Sequence, residues 1–352
     1  MLLPEVALGG TGGRRAALAP GTRIFGRSVA LVALSALAVA LIGTGSAAAA
    51  YVQQRAWGVK GTAEGQFNGP QGITTLPGTV YVADSHNSRI QAFDPLGGFL
   101  STWGYGVQDG LGKREVCTAS CREGIPGQQY GQLRMPTGID AANGYVFVSD
   151  IQNSRIQRFR ANGKGPVVTW GGPGSGDIRF NSPVGLSVDT TGHVYVADTG
   201  NNRIKKFTAN GAFLSKWGNV GSAAGQVQFP CGIAADNAGN VYVADTYNSR
   251  IEKFSANGRF LAKWGKHGSA NGQFELPYGI ATDRSGNVYV ADTYNDRVQK
   301  FSPRGVFLGK WGKSGSGKGQ LSAPQGIAVD GQGAVYVADT GNQRIVKYVR
   351  TP

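Results

Sequence analysis

Short runs in which apolar and polar residues alternate, separated by glycine-containing turns, recur along most of this chain. One unit shows the pattern fully: Gly279 to Thr282, Asn287 to Asp292, Arg297 to Phe301 and Val306 to Trp311 alternate at period two, with Ser285-Gly286, Asn295-Asp296 and Arg304-Gly305 between them. Period-two alternation predicts half-buried β-strands, and the intervening dipeptides predict turns. No unit contains an apolar pattern long enough for a helix.

Aligned on Val-Tyr-Val-Ala-Asp, the units place Asp84, Asp150, Asp198, Asp245, Asp292 and Asp339 at one position, the second copy reading Val-Phe-Val-Ser-Asp; the last four are 47 residues apart. A self-similar period of this size signals a solenoid or a propeller. Four antiparallel strands repeated six times predict an all-β fold, a six-bladed propeller whose blades bury their faces against one another. The repeat Gly319-Gln320, Pro324-Gln325-Gly326-Ile327-Ala328-Val329-Asp330, Val335-Tyr336-Val337-Ala338-Asp339 and Asn342-Gln343-Arg344-Ile345 resembles the NHL family, and the likeness runs through all of residues 51–352. The resemblance implies a propeller with strand a at the axis and strand d at the rim. It does not imply one activity, because the fold hosts protein binding, RNA binding and, in relatives, lyase or lactonase chemistry.

The two ends of the repeat region complement each other. The last unit stops after three strands, and Tyr51 to Trp57 followed by Gly58 reads like Val306 to Trp311 followed by Gly312. The N-terminal strand is therefore expected to complete the last blade and close the ring, hiding two sheet edges. Trp57, Trp103, Trp170, Trp217, Trp264 and Trp311 then share one position, which assigns them to packing between blades.

The first fifty residues differ from this pattern. Arg14, Arg15, Arg23 and Arg27 precede an uncharged run of 14 residues from Val29 to Ile42, and Ala48-Ala49-Ala50 follows. This is the layout of a signal sequence cleaved before Tyr51; the alternative is an uncleaved anchor over residues 29–50 that tethers the domain to the outer face of the membrane. The organisation is thus residues 1–50 as signal or anchor and 51–352 as propeller, secreted or tethered. The chain carries 35 Lys and Arg against 21 Asp and Glu, a formal +14. Such a surplus favours anionic partners, and export disfavours nucleic acid among them.

Residues repeated in every copy belong to the scaffold, and binding specificity needs positions where copies differ. The six aspartates and Arg89, Arg155, Arg203, Arg250, Arg297 and Arg344 are assigned to turn hydrogen bonds and ion pairs. The lysines near strands c and d, including Lys206, Lys216, Lys253, Lys263, Lys300 and Lys310, are expected to be solvated at the rim. The variable positions fall on the face that carries the b–c turns and the crossings between blades. There the b–c turns offer His86, Gln152, Gly200, Tyr247, Tyr294 and Gly341, and the positions before the strand-a glycine offer Gln71, Thr137, Val184, Cys231, Tyr278 and Gln325. The candidate binding residues are Cys231, Tyr247, Tyr278, Tyr294, His86, Gln71 and Gln325, since tyrosine is enriched at recognition surfaces. An insertion of 19 residues around Tyr105 to Tyr130 is expected to project from the same face, with Cys117 and Cys121 as its disulfide and Cys231 left free.

Chemistry finds little support. The three histidines, His86, His193 and His267, lie in dissimilar places and form no zinc trio of the kind found in amidating lyases with NHL-like propellers. Calcium, carried on axial carboxylates in related lactonases, has no distinctive loop here, because the acidic residues repeat with the scaffold. Gly312 to Lys318 nearly spells a phosphate loop, but Gly319 stands where Ser or Thr is required. The sequence therefore predicts a non-catalytic, monomeric binding or ligand-sensing module without metal or cofactor, engaging an extracellular protein or an anionic glycan. A lyase- or lactonase-like enzyme is the alternative, and RNA binding the reading should the chain stay in the cytoplasm. Fractionation with N-terminal sequencing is expected to find an extracytoplasmic protein beginning near Tyr51; full-length protein in the cytoplasm would return RNA binding to contention.

Overall fold

The computed structural model describes residues 50–165 and 167–351, so the signal or anchor expected over 1–50 lies outside the described residues apart from Ala50. Twenty-five strands build six antiparallel sheets, and the described residues contain no α-helix. Each blade is a meander from an innermost strand a to an outer strand d; blade 4, for instance, runs Pro230–Ala235, Asn240–Asp245, Arg250–Ser255 and Phe260–Trp264. Blade 6 is made from both ends: Ile327–Val329, Val335–Asp339 and Arg344–Arg350 are completed by Tyr51–Trp57, paired in the register Tyr51↔Arg350 and Trp57↔Ile345. The ring closes as the ends of the sequence imply.

The tryptophans show how the blades seal. In the c–d turn of the following blade, Gly97, Gly163, Gly211, Gly258 and Gly305 take positive φ and lie over Trp57, Trp103, Trp170, Trp217 and Trp264, where an added Cβ would come within 3.0 Å of each indole. Glycine is required there twice, by the backbone conformation and by the close approach. Trp311 has no such turn above it, because strands c and d of blade 6 come from opposite ends of the repeat region and no turn joins them. The ring of Tyr51 stacks on it instead, at 4.4 Å and 20°.

Adjacent blades are also tied through their turns. A hydroxyl in five of the six b–c turns donates to the prolyl carbonyl opening the next blade: Ser85 to Pro136, Thr199 to Pro230, Thr246 to Pro277, Thr293 to Pro324 and, closing the circle, Thr340 to Pro70, at 2.6 to 2.8 Å. Blade 2 has Ile151 there and cannot make the bond. Its hydroxyl has moved to Ser149, where the other copies have alanine, and donates to the carbonyl of Val184 in blade 3. A second exchange follows the same logic. The hydroxyls of Tyr195, Tyr242, Tyr289 and Tyr336 donate to Asp189, Asp236, Asp283 and Asp330; blade 2 has Phe147 and Ala142 at these positions, so acceptor and donor disappear together and no buried polar atom is orphaned.

Three expectations need correction. The insertion does not simply project. Arg114–Cys117 pairs with Phe99–Tyr105 as a fifth strand of blade 1, and the return segment is held where Gly124 N–H donates to Asn87 O and the Arg89 guanidinium to Arg122 O, each at 2.7 Å. Half of the named lysines are not solvated. Lys206, Lys253 and Lys300 lie over the rings of Tyr195, Tyr242 and Tyr289 at 4.9 to 5.2 Å, and Lys206 and Lys253 donate to backbone carbonyls of the next blade, so they clamp the ring rather than guard its edge. Lys216, Lys263 and Lys310 are exposed as expected. The acidic residues do not all repeat, because Asp140 has no counterpart in the other strands a.

One scaffold position varies with a consequence for stability. Two residues after the repeated arginine stand Gln91, Gln157, Lys205, Glu252, Gln299 and Val346. Glu252 is fully buried against Arg250 at 2.7 Å, and burial, opposed by Arg250 and reinforced by Asp245, pushes its carboxyl up to about 7. A folded-state value above the unfolded one means that this group's favourable contribution is complete below the ordinary glutamate range and is lost as pH rises through about 7. Glu252→Gln installs the side chain that three other blades use. Denaturant unfolding should find it more stable than the parent by about 1–2 kcal/mol near pH ~8, with the difference fading toward pH ~5; a gain of equal size at both pH values would contradict the titration.

Candidate functional site

The face carrying the b–c turns is built in three concentric rings, because each blade supplies equivalent backbone positions at increasing distance from the axis. The innermost ring is Gln71, Thr137, Val184, Cys231, Tyr278 and Gln325, which encircle a constriction of the channel of about 60 Å³. The next ring is the residue before each strand-a proline: Gly69, Met135, Ser182, Phe229, Leu276 and Ala323. All six adopt positive φ, from 43° to 62°. The outer ring is His86, Gln152, Gly200, Tyr247, Tyr294 and Gly341 in the b–c turns.

The large residues in these rings are not evenly spread. Blades 4 and 5 supply Phe229, Tyr247, Leu276, Tyr278 and Tyr294, whereas the flanking blades 3 and 6 supply Ser182, Gly200, Ala323 and Gly341 in the outer two rings. The result is a raised aromatic arc between low walls. Tyr294 is 53% exposed and Tyr247 39%. Tyr247 lies flat on Phe229, ring centroids 4.6 Å apart and 15° from parallel, so a second ring fixes its orientation. Phe229 and Leu276 were not singled out from sequence. A bulky residue before proline in the left-handed region is uncommon, and such backbone is kept at functional sites when its surroundings hold it; the N–H of Phe229 is held by Asn202 Oδ1 of the preceding blade at 2.8 Å. The variation Gly, Met, Ser, Phe, Leu, Ala at this position was readable in the repeat and was the available signal.

The other sequence candidates fall into distinct places. Tyr278 is partly buried at the constriction, beside Gln325 and Gln71 of the next two blades, and burial drives its hydroxyl well above the ordinary tyrosine range. The Oε1 atom of Gln325 is buried without a hydrogen-bond partner. Cys231 is fully buried, and burial pushes its thiol up to about 12, which removes it from the surface a partner can touch. His86 is exposed over Gly69, but blade 1 stands across the axis from blade 4. With the insertion, it belongs to the opposite side of the face and does not border the tyrosines. A disulfide joins Cys117 to Cys121, Cα atoms 5.7 Å apart, inside a small core with Val107 and Phe99.

The larger cavity, about 520 Å³, opens at the other mouth of the channel, among the a–b turns. One side of it carries Thr74, Asp140 and Ser187 where the other has Ala234, Ala281 and Ala328. Asp140 was missed because it was counted with the scaffold acids. Its oxygens accept from Thr74 Oγ1, Ala141 N–H, Ser187 Oγ and Val188 N–H, at 2.8 to 3.2 Å, tying three strands a together. Burial raises its carboxyl above the ordinary range against these four donors. Among the described residues no three His, Cys, Asp or Glu side chains gather as a metal site. His193 is occupied by Thr191 Oγ1 at 2.6 Å and Asp189 at 3.2 Å.

The repeat now has its geometry, and the family model for the NHL repeat matches residues 67–93, 180–207, 228–254, 274–301 and 321–348. The chain belongs to the NHL-repeat proteins. Blade 2 is the blade without a match, and it is the blade carrying Ile151, Ser149, Phe147 and Ala142. A comparison with curated proteins found no match. Among solved structures, this NHL-repeat chain is similar to virginiamycin B lyase from Staphylococcus aureus (15% identity, TM-score 0.57, covering 86% of this chain and 100% of that one). It is also similar to a gluconolactonase from Xanthomonas campestris (15%, 0.56, 82% and 88%) and to a chain of the nidogen/laminin complex (19%, 0.50, 75% and 86%). At these identities the likeness is one of fold.

The buried position of Cys231 fixes its reactivity. The native NHL-repeat protein should show no thiol titratable by a disulfide reagent at neutral pH and one per chain in denaturant without reductant. A rapidly reacting native thiol would mean that the constriction opens or that the Cys117–Cys121 bond is reduced.

Proposed function

We propose that this NHL-repeat propeller is a non-catalytic binding module, exported from the cytoplasm, whose partner contacts the aromatic arc of blades 4 and 5. The observation that carries the reading is the confinement of every aromatic residue but His86 in these rings, Phe229, Tyr247, Tyr278 and Tyr294, to two adjacent blades of the six, with Leu276 between them. Exposed tyrosines on a rigid frame suit recognition, because a ring fixed in advance loses little freedom on binding. Tyr247 is fixed by Phe229, and its turn is anchored by Thr246 on the next blade. The fold neighbours include both enzymes and a chain of a protein complex, so they do not choose between the readings. The channel chemistry favours binding over catalysis: Asp140, the unrepeated axial carboxylate, has both oxygens occupied by four donors of its neighbours and is poorly placed to take a metal ion or a substrate proton.

Photo-cross-linking from position 247 or 294 on cells that express the protein should capture a partner, and Tyr247→Ala, Tyr278→Ala and Tyr294→Ala should each weaken binding by about 1–4 kcal/mol with unfolding unchanged for the two exposed positions. Binding that survives the triple variant and is lost when Lys216, Lys263 and Lys310 are neutralised would move the site to the rim. One tightly held zinc per chain, or intrinsic lyase or lactonase turnover, would overturn the non-catalytic reading.

A further inference from the structure

The surplus of positive charge favours an anionic partner, but none of it stands on the three rings of blades 4, 5 and 6. The six repeated arginines each pair with a buried aspartate at 2.7 to 2.9 Å. Lys205 is buried beside Asp198 at 3.2 Å, and Lys206, Lys253, Lys300 and Lys347 lie on tyrosine rings. The three rings of blades 4, 5 and 6 hold no lysine or arginine: they read Cys231, Phe229, Tyr247; Tyr278, Leu276, Tyr294; and Gln325, Ala323, Gly341. A polyanion has nothing to pair with there.

What this surface does offer is of two kinds. Tyr247 and Tyr294 present aromatic faces to solvent, one of them backed by Phe229. Toward the axis, the same arc continues into Tyr278, Gln325 and Gln71, a hydroxyl and two amides on three successive blades. Each amide both donates and accepts, and Gln325 Oε1 has no hydrogen-bond partner within the protein. The face of an aromatic ring is electron-rich and attracts the polarised C–H groups on the flat side of a pyranose ring, while sugar hydroxyls at its edge suit amides that need both a donor and an acceptor. A neutral sugar supplies an apolar face and a hydrogen-bonding edge on one rigid unit.

We infer that the aromatic arc is a recognition site for a neutral glycan chain, one sugar stacked on Tyr247 or Tyr294 and a neighbouring hydroxyl directed to Gln325. This inference rests on the binding-face reading above and names its partner class. The low walls at Gly200 and Gly341 leave the arc open at both sides, so the site admits an internal segment of a polymer as well as a chain end.

The test is affinity electrophoresis of the purified full chain through gels containing neutral polysaccharides of several linkages, chitin-type and glucan-type included, beside a polyuronate. Retardation is expected in at least one neutral polymer and should persist at about 0.5 M salt, where contacts between exposed charges are screened. Tyr294→Ala and Gln325→Leu should each lower the affinity about tenfold or more, with Tyr247→Trp retaining it and Lys216→Gln leaving it unchanged. Circular dichroism melts of each variant separate lost binding from lost folding. Retardation by the polyuronate alone, abolished by salt, overturns the inference in favour of a polyanion at the rim. No retardation in any polymer, with a protein still cross-linked from position 294, overturns the glycan while leaving the binding face in place. Loss of cross-linking as well removes both.

Discussion

The ring depends on a buried aspartate at the end of each strand b. Asp84, Asp150, Asp198, Asp245, Asp292 and Asp339 are all fully buried, and each takes the Nε of the arginine five residues on and the amide of the asparagine three residues on. Its other oxygen accepts a backbone N–H from the crossing that enters the blade, as Gln228 donates to Asp245 at 2.6 Å. A buried ion pair is a poor source of net stability, since the charges lose their water, and burial indeed raises most of these carboxyls in spite of the arginines. Its value lies in what the arginine does with its remaining nitrogens. Arg250 donates to the carbonyls of Ser222, Ala223 and Gln226, and Arg297 to those of Ser269, Ala270 and Gln273. Removing either partner would leave a buried charge and free several crossing carbonyls at once. The pair thus converts a glycine-rich crossing with no regular structure into a fixed surface, and it does so on the face where the aromatic arc stands.

The same dependence explains which substitutions the repeat tolerates. Around the aspartate, the position of Gln91 reads Gln, Gln, Lys, Glu, Gln and Val across the blades. Gln91 donates to the carboxylate and a crossing carbonyl and accepts from Gly65; Lys205 keeps only the donating part, at the cost of a depressed ammonium; Glu252 keeps only the accepting part, bonding Gly225 N–H, at the cost of a raised carboxyl. Blade 2 departs furthest, yet its changes are paired. A hydroxyl shifts from position 151 to 149, and a Tyr–Asp couple becomes Phe–Ala. These paired changes let a blade that no longer matches the repeat model still close the ring.

Most of the fold was legible because repetition amplifies weak signals. A single Val-Tyr-Val-Ala-Asp is a short apolar run, but six of them fix strand, turn and register together, and Tyr51 to Trp57 could be placed by comparison with Val306 to Trp311. What the repeat could not show was the third dimension around each equivalent position. Lys206 and Lys216 look alike in sequence, and only the facing strand decides that one meets Tyr195 and the other solvent. Asp140 looked like one more acid until its neighbours proved to be Thr74 and Ser187 of adjoining blades. His86 occupies the same turn position as Tyr247 and was grouped with it, although copies three apart in a six-membered ring lie on opposite sides of the axis. The blade order contained that fact; reading by column rather than by position round the ring obscured it.

Net charge misleads here for a related reason. Charge is a sum over the chain, but recognition depends on the charge left over after the scaffold has satisfied its own groups. The arginines are needed for their five-donor geometry, which lysine cannot supply, but each is matched by its own aspartate, so the six crossings add nothing to the net charge and the surplus lies on other groups, the exposed Lys216, Lys263 and Lys310 among them. The surplus carries no information about the face above the crossings. The informative residues are those for which the scaffold has no use: Phe229 and Leu276, bulky in a left-handed backbone that Gly69 occupies without strain, and Gln325, with a buried acceptor that nothing in the ring satisfies. A closed ring that sets stacked aromatic side chains beside amides the scaffold does not use is complete as a scaffold and still has a surface to offer, one suited to a group that brings a hydrogen-bonding edge and an apolar face together.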